Sequence, residues 1–276
     1  MTKYDPLIKK CRLCNSVNIF KFHQAENGSQ IYKCSHCKVQ FMNPQYSDEY
    51  LTDLYSSYIR DETQLEEKLV KSHSYCLQLI QECAFVKGKL LDIGSGNGYL
   101  IKIAKQRGWD PTGHEINCDS AETLHVKTGI RILCGEIYNL NIEERFDAIS
   151  MLHVIEHLKN PEKYIEKIFS VLNKKGVLFL ALPNIQSPSS LFKLILEKTK
   201  LKTKNVAAYY DTGHHLWYFS PHTIRSFLEE NGFKIIRIYS GENINLNRNK
   251  FFNVIDEKIL SKVLWHSSMG VIARKL

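Results

Sequence analysis

The sequence predicts an α/β protein with a small metal-stapled module at its amino end. Three observations carry that reading. From residue 89 short apolar strands alternate with helices, the rhythm of a parallel sheet. The first of those strands runs into LLDIGSGNG, a glycine-rich turn at the mouth of a helix, where open α/β sheets bind ligands. Ahead of both, Cys11-x2-Cys14, nineteen further residues and Cys34-x2-Cys37 have the spacing of two tight knuckles, each presenting two thiolates.

Between the knuckles, VNIFKFH and QIYK alternate apolar and polar residues around Glu26-Asn27-Gly28-Ser29, as two strands joined by a turn would. Four thiolates suit tetrahedral zinc, with Cys11, Cys14, Cys34 and Cys37 as ligands stapling residues 1–44, a stretch too short to hold its own core. His36 sits inside the second knuckle, but the thiolates already fill the shell. A filled shell leaves no position for water or substrate, so this zinc is structural.

Residues 45–87 change character. Leu65, Leu69, Tyr75 or Cys76, Leu79 or Ile80, and Cys83 recur at helical spacing, which predicts an amphipathic helical linker ending near Gly88. Tyr46, Tyr50, Tyr55 and Tyr58 precede it and are expected to pack between module and main domain.

The main domain spans residues 88–276, and its elements follow in order: KLLDI, a helix over YLIKIAKQR, WDPTGHEI, a helix from Asn117, RILCG, FDAISM, a helix over NPEKYIEKIFSVLNKKG, and VLFLAL. Asn160, Pro161 and Gly176 predict both ends of that last helix. In the turn, Gly94, Gly96 and Gly98 let backbone approach a ligand closely. A dinucleotide fingerprint needs glycine or alanine where Tyr99 stands, and a P-loop needs a Lys-Ser or Lys-Thr that is missing. Glu115, closing WDPTGHEI, lies where a carboxylate can accept hydrogen bonds from both hydroxyls of a ribose.

Asp92 with Gly94, Gly96 and Gly98, then Glu115, then Gly135-Glu136, then FDAISMLHVIEHL resemble, in order over residues 89–183, the successive motifs of class I S-adenosylmethionine-dependent methyltransferases. The resemblance implies a Rossmann-like seven-stranded sheet of order 3-2-1-4-5-7-6 beside the small zinc ribbon, with FKIIRI and MGVIARK as antiparallel end strands. It implies S-adenosylmethionine as cofactor, its methionine half passing Gly94, Ser95 and Gly96, its ribose on Glu115, and its adenine bordered by Glu136 and Ile137. Asp92, Ile116 and Leu152 complete the implied cofactor contacts.

A sulfonium methyl is already electrophilic, so what remains for the protein is in-line positioning and removal of the acceptor's proton. Two clusters follow strands at the carboxyl edge: His153, Glu156 and His157, and His214 with His215 in DTGHHLWYFS. The second resembles the histidine-containing segment before YFSP in small-molecule methyltransferases, including sugar methyltransferases with a zinc-binding amino terminus. His215 is the expected base, with His153 and His214 nearby. His153-x-x-Glu156-His157 also spells an inverted zinc-protease motif, but that chemistry needs a helix, and this segment directly follows a strand. Glu156 is expected to steady a neighbouring loop or substrate group.

Residues 185–213 interrupt the strand pattern as a substrate-side insertion, and residues 185–204 hold five Lys against one Glu, which suits a phosphorylated small molecule such as a nucleotide-linked sugar. Over all 276 residues, 43% are apolar and 24% charged, an ordinary globular balance that excludes collagenous and disordered classes. The net charge of +8 is a mild excess that permits an anionic ligand. The domain order also resembles that of zinc-ribbon methyltransferases acting on ribosomal RNA, which the basic balance allows, so ribosomal RNA is the alternative acceptor and a non-catalytic S-adenosylmethionine-binding module the alternative role. No apolar run approaches the roughly 18 residues of a membrane span, and MTKYDPLIKK lacks a secretory signal's apolar core. Cys76, Cys83, Cys118 and Cys134 read as buried small hydrophobes, so a reducing cytoplasm is the expected setting.

Overall fold

Two sheets organise the chain in the computed structural model, which describes residues 2–25, 27–56, 66–198, 209–241, 264 and 266–276. In the smaller sheet, β1 (Ile19–Gln24) and β2 (Gln30–Cys34) pair antiparallel across the expected turn, and β3 (Gln40–Met42) joins β2. Within the knuckles, Asn15 N–H donates to Cys11 O at 2.8 Å and Lys38 N–H to Cys34 O at 3.1 Å. The fourth strand, β9 (Trp217–Tyr218), comes from far along the chain and pairs with β3, setting Trp217 opposite Phe41 and Tyr218 opposite Gln40. The rings of Phe41 and Trp217, both fully buried, lie 5.2 Å apart.

Helices α1 (Asp48–Ser56) and α2 (Glu66–Cys83) follow. The apolar stripe of α2 buries Cys76, Leu77, Leu79 and Ile80 in a core shared with the large sheet. The Tyr46 and Tyr50 rings meet at a tilt with centroids 4.7 Å apart, and the Tyr46 hydroxyl donates to Thr212 O at 2.7 Å, tying this segment to the approach to β9. Tyr58, Leu65 and residues 199–208 of the expected insertion lie outside the described residues.

The large sheet holds β4 (Lys89–Ile93), β5 (Asp110–Glu115), β6 (Ile132–Cys134), β7 (Phe146–Leu152), β8 (Leu172–Pro183), β10 (Phe233–Ser240) and β11 (Ser268–Lys275). Their spatial order, β6-β5-β4-β7-β8-β11-β10, is the expected 3-2-1-4-5-7-6, with β10 and β11 antiparallel to their neighbours. The central strands β4, β7 and β8 are nearly continuous apolar runs because helices cover both of their faces. The helices are α3 (Tyr99–Gln106), α4 (Cys118–Thr128), α5 (Pro161–Val171), α6 (Pro188–Lys198) and α7 (Pro221–Glu230). Asn117 Oδ1 caps α4 by accepting from Ser120 N–H at 2.9 Å, and Ser220 with Thr223 forms a capping box on α7.

Two expectations are corrected. Helix α5 ends at Val171, so Gly176 is not its cap: Leu172 already opens β8, and the β7–β8 register slips between Phe146 and Ala148 to absorb the extra residues. Cys118 and Cys134 are not buried hydrophobes but a disulfide with Cα atoms 5.1 Å apart. The β5–α4–β6 return sets Cys134 opposite Glu115, three residues before Cys118, and this brings the thiols together. Among the described residues no helix is long and apolar enough to cross a membrane.

Candidate functional site

The glycine turn links β4 to α3, with Gly94, Gly96 and Gly98 at φ 72°, 53° and 76°, the left-handed region that glycine adopts without steric cost. The N–H groups of Gly94 and Ser95 both donate to His114 O, at 2.9 and 3.0 Å, folding the turn over the end of β5. Ser95 Oγ donates to Asp92 O at 2.8 Å and accepts from His114 N–H at 3.1 Å, so its hydroxyl belongs to the turn's own scaffold. Asp92 is buried beneath, accepts from Ser150 Oγ at 2.7 Å across the β4–β7 pair, and is pushed up to about 7 by burial. A Cβ built on Gly96 would meet nothing within 4 Å, so the turn faces open space there. A Cβ on Gly94 would fall 2.5 Å from Val154 Cγ2, so the turn and the segment after β7 are in direct contact.

Glu115 closes β5 with its carboxylate accepting from Gly96 N–H, and burial pushes its carboxyl upward against that bond. Ile116 beside it is 48% exposed. Across the rim, Glu136 accepts from Tyr164 of α5 at 2.7 Å, while Ile137 is wholly buried in the main core. His114, which the sequence did not single out, is also buried, and its Nε2 bonds to Gly135 O at 2.8 Å, holding β5 to the loop after β6.

At the end of β7, half-buried Leu152 gives way to His153 with φ 54°, a conformation that costs a non-glycine residue about 1–3 kcal/mol and persists where the surroundings impose it. Its N–H donates to Ala181 O at 2.8 Å, and its side chain stays 42% exposed. A 3-10 turn over Ile155–His157 then buries Glu156, whose Oε1 lies 3.2 Å from His153 Nδ1 and 3.8 Å from His157 Nε2. Glu156 Oε2 is buried with no hydrogen-bond partner among the described residues. Burial would raise this carboxyl, but the His153 hydrogen bond and the charges of His157 and His153 outweigh it and hold it at about 2.

The two histidine clusters of the sequence form one group. Leu216 N–H donates to Glu156 O at 2.8 Å, drawing the segment before β9 against the segment after β7. His157 stacks on His214 at 4.9 Å and lies 4.8 Å from the His215 ring. His157 Nδ1 sits 3.1 Å from His214 O. Burial lowers His157 and takes His215 down to about 4. That His157 joins His214 and His215 was not readable from the sequence, because nothing in it pairs Leu216 with Glu156.

In the knuckles, Cys11 Sγ and Cys37 Sγ are 3.6 Å apart, as are Cys14 Sγ and Cys34 Sγ, and all four sulfurs lie within 4.8 Å of one another. Thiolates about 2.3 Å from a tetrahedral zinc stand about 3.8 Å apart, so this donor set fits that ion.

Residues 64–238 match a family profile described as a methyltransferase domain (Methyltransf_23). The mitochondrial ubiquinone biosynthesis O-methyltransferase of Rattus norvegicus is 28% identical over 160 residues, covering 53% of this chain and 44% of the relative. The ubiquinone biosynthesis O-methyltransferase of Pseudomonas fluorescens is 26% identical over 114 residues, 39% of this chain and 49% of the relative. The chain thus spans less than half the length of either relative. Among solved structures, an S-adenosylmethionine-dependent methyltransferase from Clostridium acetobutylicum aligns with TM-score 0.51 and 13% identity over 82% of this chain and 98% of its own. Magnesium protoporphyrin IX methyltransferase from Synechocystis, with bound SAH, aligns with TM-score 0.52 and 14% identity over 82% and 93%. At these identities the likeness is one of fold.

Proposed function

The chain belongs to the methyltransferase-domain family, and from that membership we propose that it transfers a methyl group from S-adenosylmethionine to an oxygen of a small metabolite, a nucleotide-linked sugar or related biosynthetic intermediate. The observation that carries this reading is the contact of Gly94 with Val154, which sets the cofactor turn against the segment bearing His153 and Glu156. The O-methyltransferase names of the relatives support oxygen as the acceptor atom. The lysine-rich stretch of residues 185–204 supports a phosphorylated acceptor.

When bound, S-adenosylmethionine supplies an electrophilic sulfonium methyl. Gly94, Ser95 and Gly96 would line its methionine half with backbone, a use that the open space over Gly96 fits. Glu115 would accept from the ribose hydroxyls once its carboxylate turns from Gly96 N–H, and Ile116 and Glu136 would border the adenine, with Ile137 buried behind them. Asp92 holds the turn from below through its carbonyl to Ser95 Oγ and ties it to β7 through Ser150, and Leu152 would close the floor. Zinc on Cys11, Cys14, Cys34 and Cys37 secures the small sheet.

The acceptor's proton goes to the histidine group. His215, the base expected from the sequence, is half-buried beside His157 and His214. We assign the proton to His153, the exposed member, whose ring Glu156 orients from behind and whose imidazolium that carboxylate stabilises. His214 and His215 position the acceptor oxygen.

Two measurements test this reading. Glu115→Ala should weaken S-adenosylmethionine binding by about 1.5–3 kcal/mol through lost charged hydrogen bonds, read by calorimetry against wild type. An unchanged affinity removes Glu115 from the cofactor site. With labelled S-adenosylmethionine and a panel of nucleotide sugars, phenolic quinone precursors and a ribosomal RNA transcript, label should appear in a sugar. Label confined to the transcript or to a phenol would overturn the substrate class.

A further inference from the structure

The geometry points to a second metal site, separate from the cysteine cluster, in which His157, His214 and His215 hold a divalent ion of the zinc, cobalt or nickel class. One candidate ligand atom from each ring lies within 4.8 Å of the others. Imidazole nitrogens about 2.1 Å from a tetrahedral ion stand about 3.4 Å apart, so closure needs side-chain movement of about an ångström. Three imidazoles are the donor set that ions of this class select.

The surroundings meet the further needs of such a site. His157 Nδ1 donates to the carbonyl of His214 at 3.1 Å, which fixes the tautomer and turns the Nε2 lone pair toward Glu156. Glu156 Oε2 is a buried carboxylate oxygen with no hydrogen-bond partner among the described residues, on a side chain only 1% exposed. His153 already compensates this carboxylate through Oε1, and Oε2 is the oxygen left to take a further donor or cation. Asp211 Oδ1 stands 3.9 Å from His214 Nδ1, beyond hydrogen-bond distance, and a small side-chain shift would let it take the outer-shell place beside that ring.

That the ion binds does not depend on the methyltransferase reading; what it does there rests on it. Beside His153 it takes the acceptor's oxygen as a Lewis acid and makes that hydroxyl easier to deprotonate. The acceptor class is then an oxygen donor able to enter a metal's shell.

Titration of the full-length protein with Co²⁺, followed by metal analysis and visible absorption, tests the site. Wild type should take up one ion per chain whose absorption lacks thiolate-to-metal charge transfer, distinct from any ion on the cysteines. His214→Ala and His157→Gln should each weaken that ion by about 100-fold, and Glu156→Gln by about tenfold, without altering the thiolate spectrum. Absence of a non-thiolate ion in wild type, or its undiminished binding in both histidine variants, overturns the proposal. Calorimetry with S-adenosylmethionine on the same samples separates the two readings: cobalt bound in this way without cofactor binding sinks the methyltransferase reading and leaves the metal site standing.

Discussion

His153→Ala is expected to slow methyl transfer by about 10²-fold or more while S-adenosylmethionine affinity stays within about twofold of wild type. A positioned base contributes about 10² to 10⁴ to the rate, and it acts on the acceptor's proton in the transition state rather than on the bound cofactor. The loss should therefore fall on turnover. Glu156→Gln keeps the volume of the side chain but removes the charge that orients His153, and should cost at least about tenfold through the same step. His215→Ala, assayed in parallel, decides between the two histidines. If His153→Ala turns over normally while His215→Ala does not, the base is His215. Thermal melts of each variant check that the buried turn over Ile155–His157 survives, since Glu156 is 1% exposed.

The paired change Cys34→Ser with Cys37→Ser has the larger structural reach. Structural zinc is worth roughly 10–16 kcal/mol of apparent binding free energy in zinc-finger peptides, more than a segment of this size recovers from its own core. Losing the ion should unfold β1 to β3. Strand β9 then loses its partner, and the segment carrying His214 and His215, which leads directly into it, loosens with it. Expected results are absence of thiolate-bound zinc, faster amide exchange over residues 214–220, and turnover reduced by at least about tenfold. Cofactor binding should fall much less, because the glycine turn lies on the other sheet. Protection at residues 214–220 equal to wild type in zinc-free protein would show that the ribbon does not support the histidines.

Much of this architecture was legible because local chemistry and global fold agree. The strands β4, β7 and β8 are apolar runs too short for helices, and glycine at 94, 96 and 98 answers a backbone need visible in spacing alone. The paired cysteines announce their own geometry. What escaped depends on contacts between distant residues. Trp217–Tyr218 is too short to read as a strand, and its partner β3 cannot be inferred from spacing. The disulfide required knowing that the chain turns back to set Cys134 opposite Glu115. The end of α5 was misread because Gly176 lies just after a helical pattern, whereas the chain turns to strand at Leu172 and uses that glycine where a Cβ would meet Asn173 O at 2.8 Å. His157 looked like one half of a sequence motif, and only the Leu216–Glu156 backbone bond brings it to the other pair.

The pairing of β9 with β3 also sets a timetable for synthesis. The hydrogen bond between Tyr210 and Gln40 beside this strand pair closes a separation of 170 positions. At the usual 5–20 residues per second, the amino-terminal hairpin leaves the ribosome on the order of ten seconds or more before the strand that completes its sheet. Through that interval β3 presents an unpaired backbone edge, and Phe41, fully buried in the finished protein, lacks Trp217 to cover it. Nascent chains stalled before Trp217 should therefore aggregate or recruit a chaperone even when zinc is bound, and chains extended past Tyr218 should not.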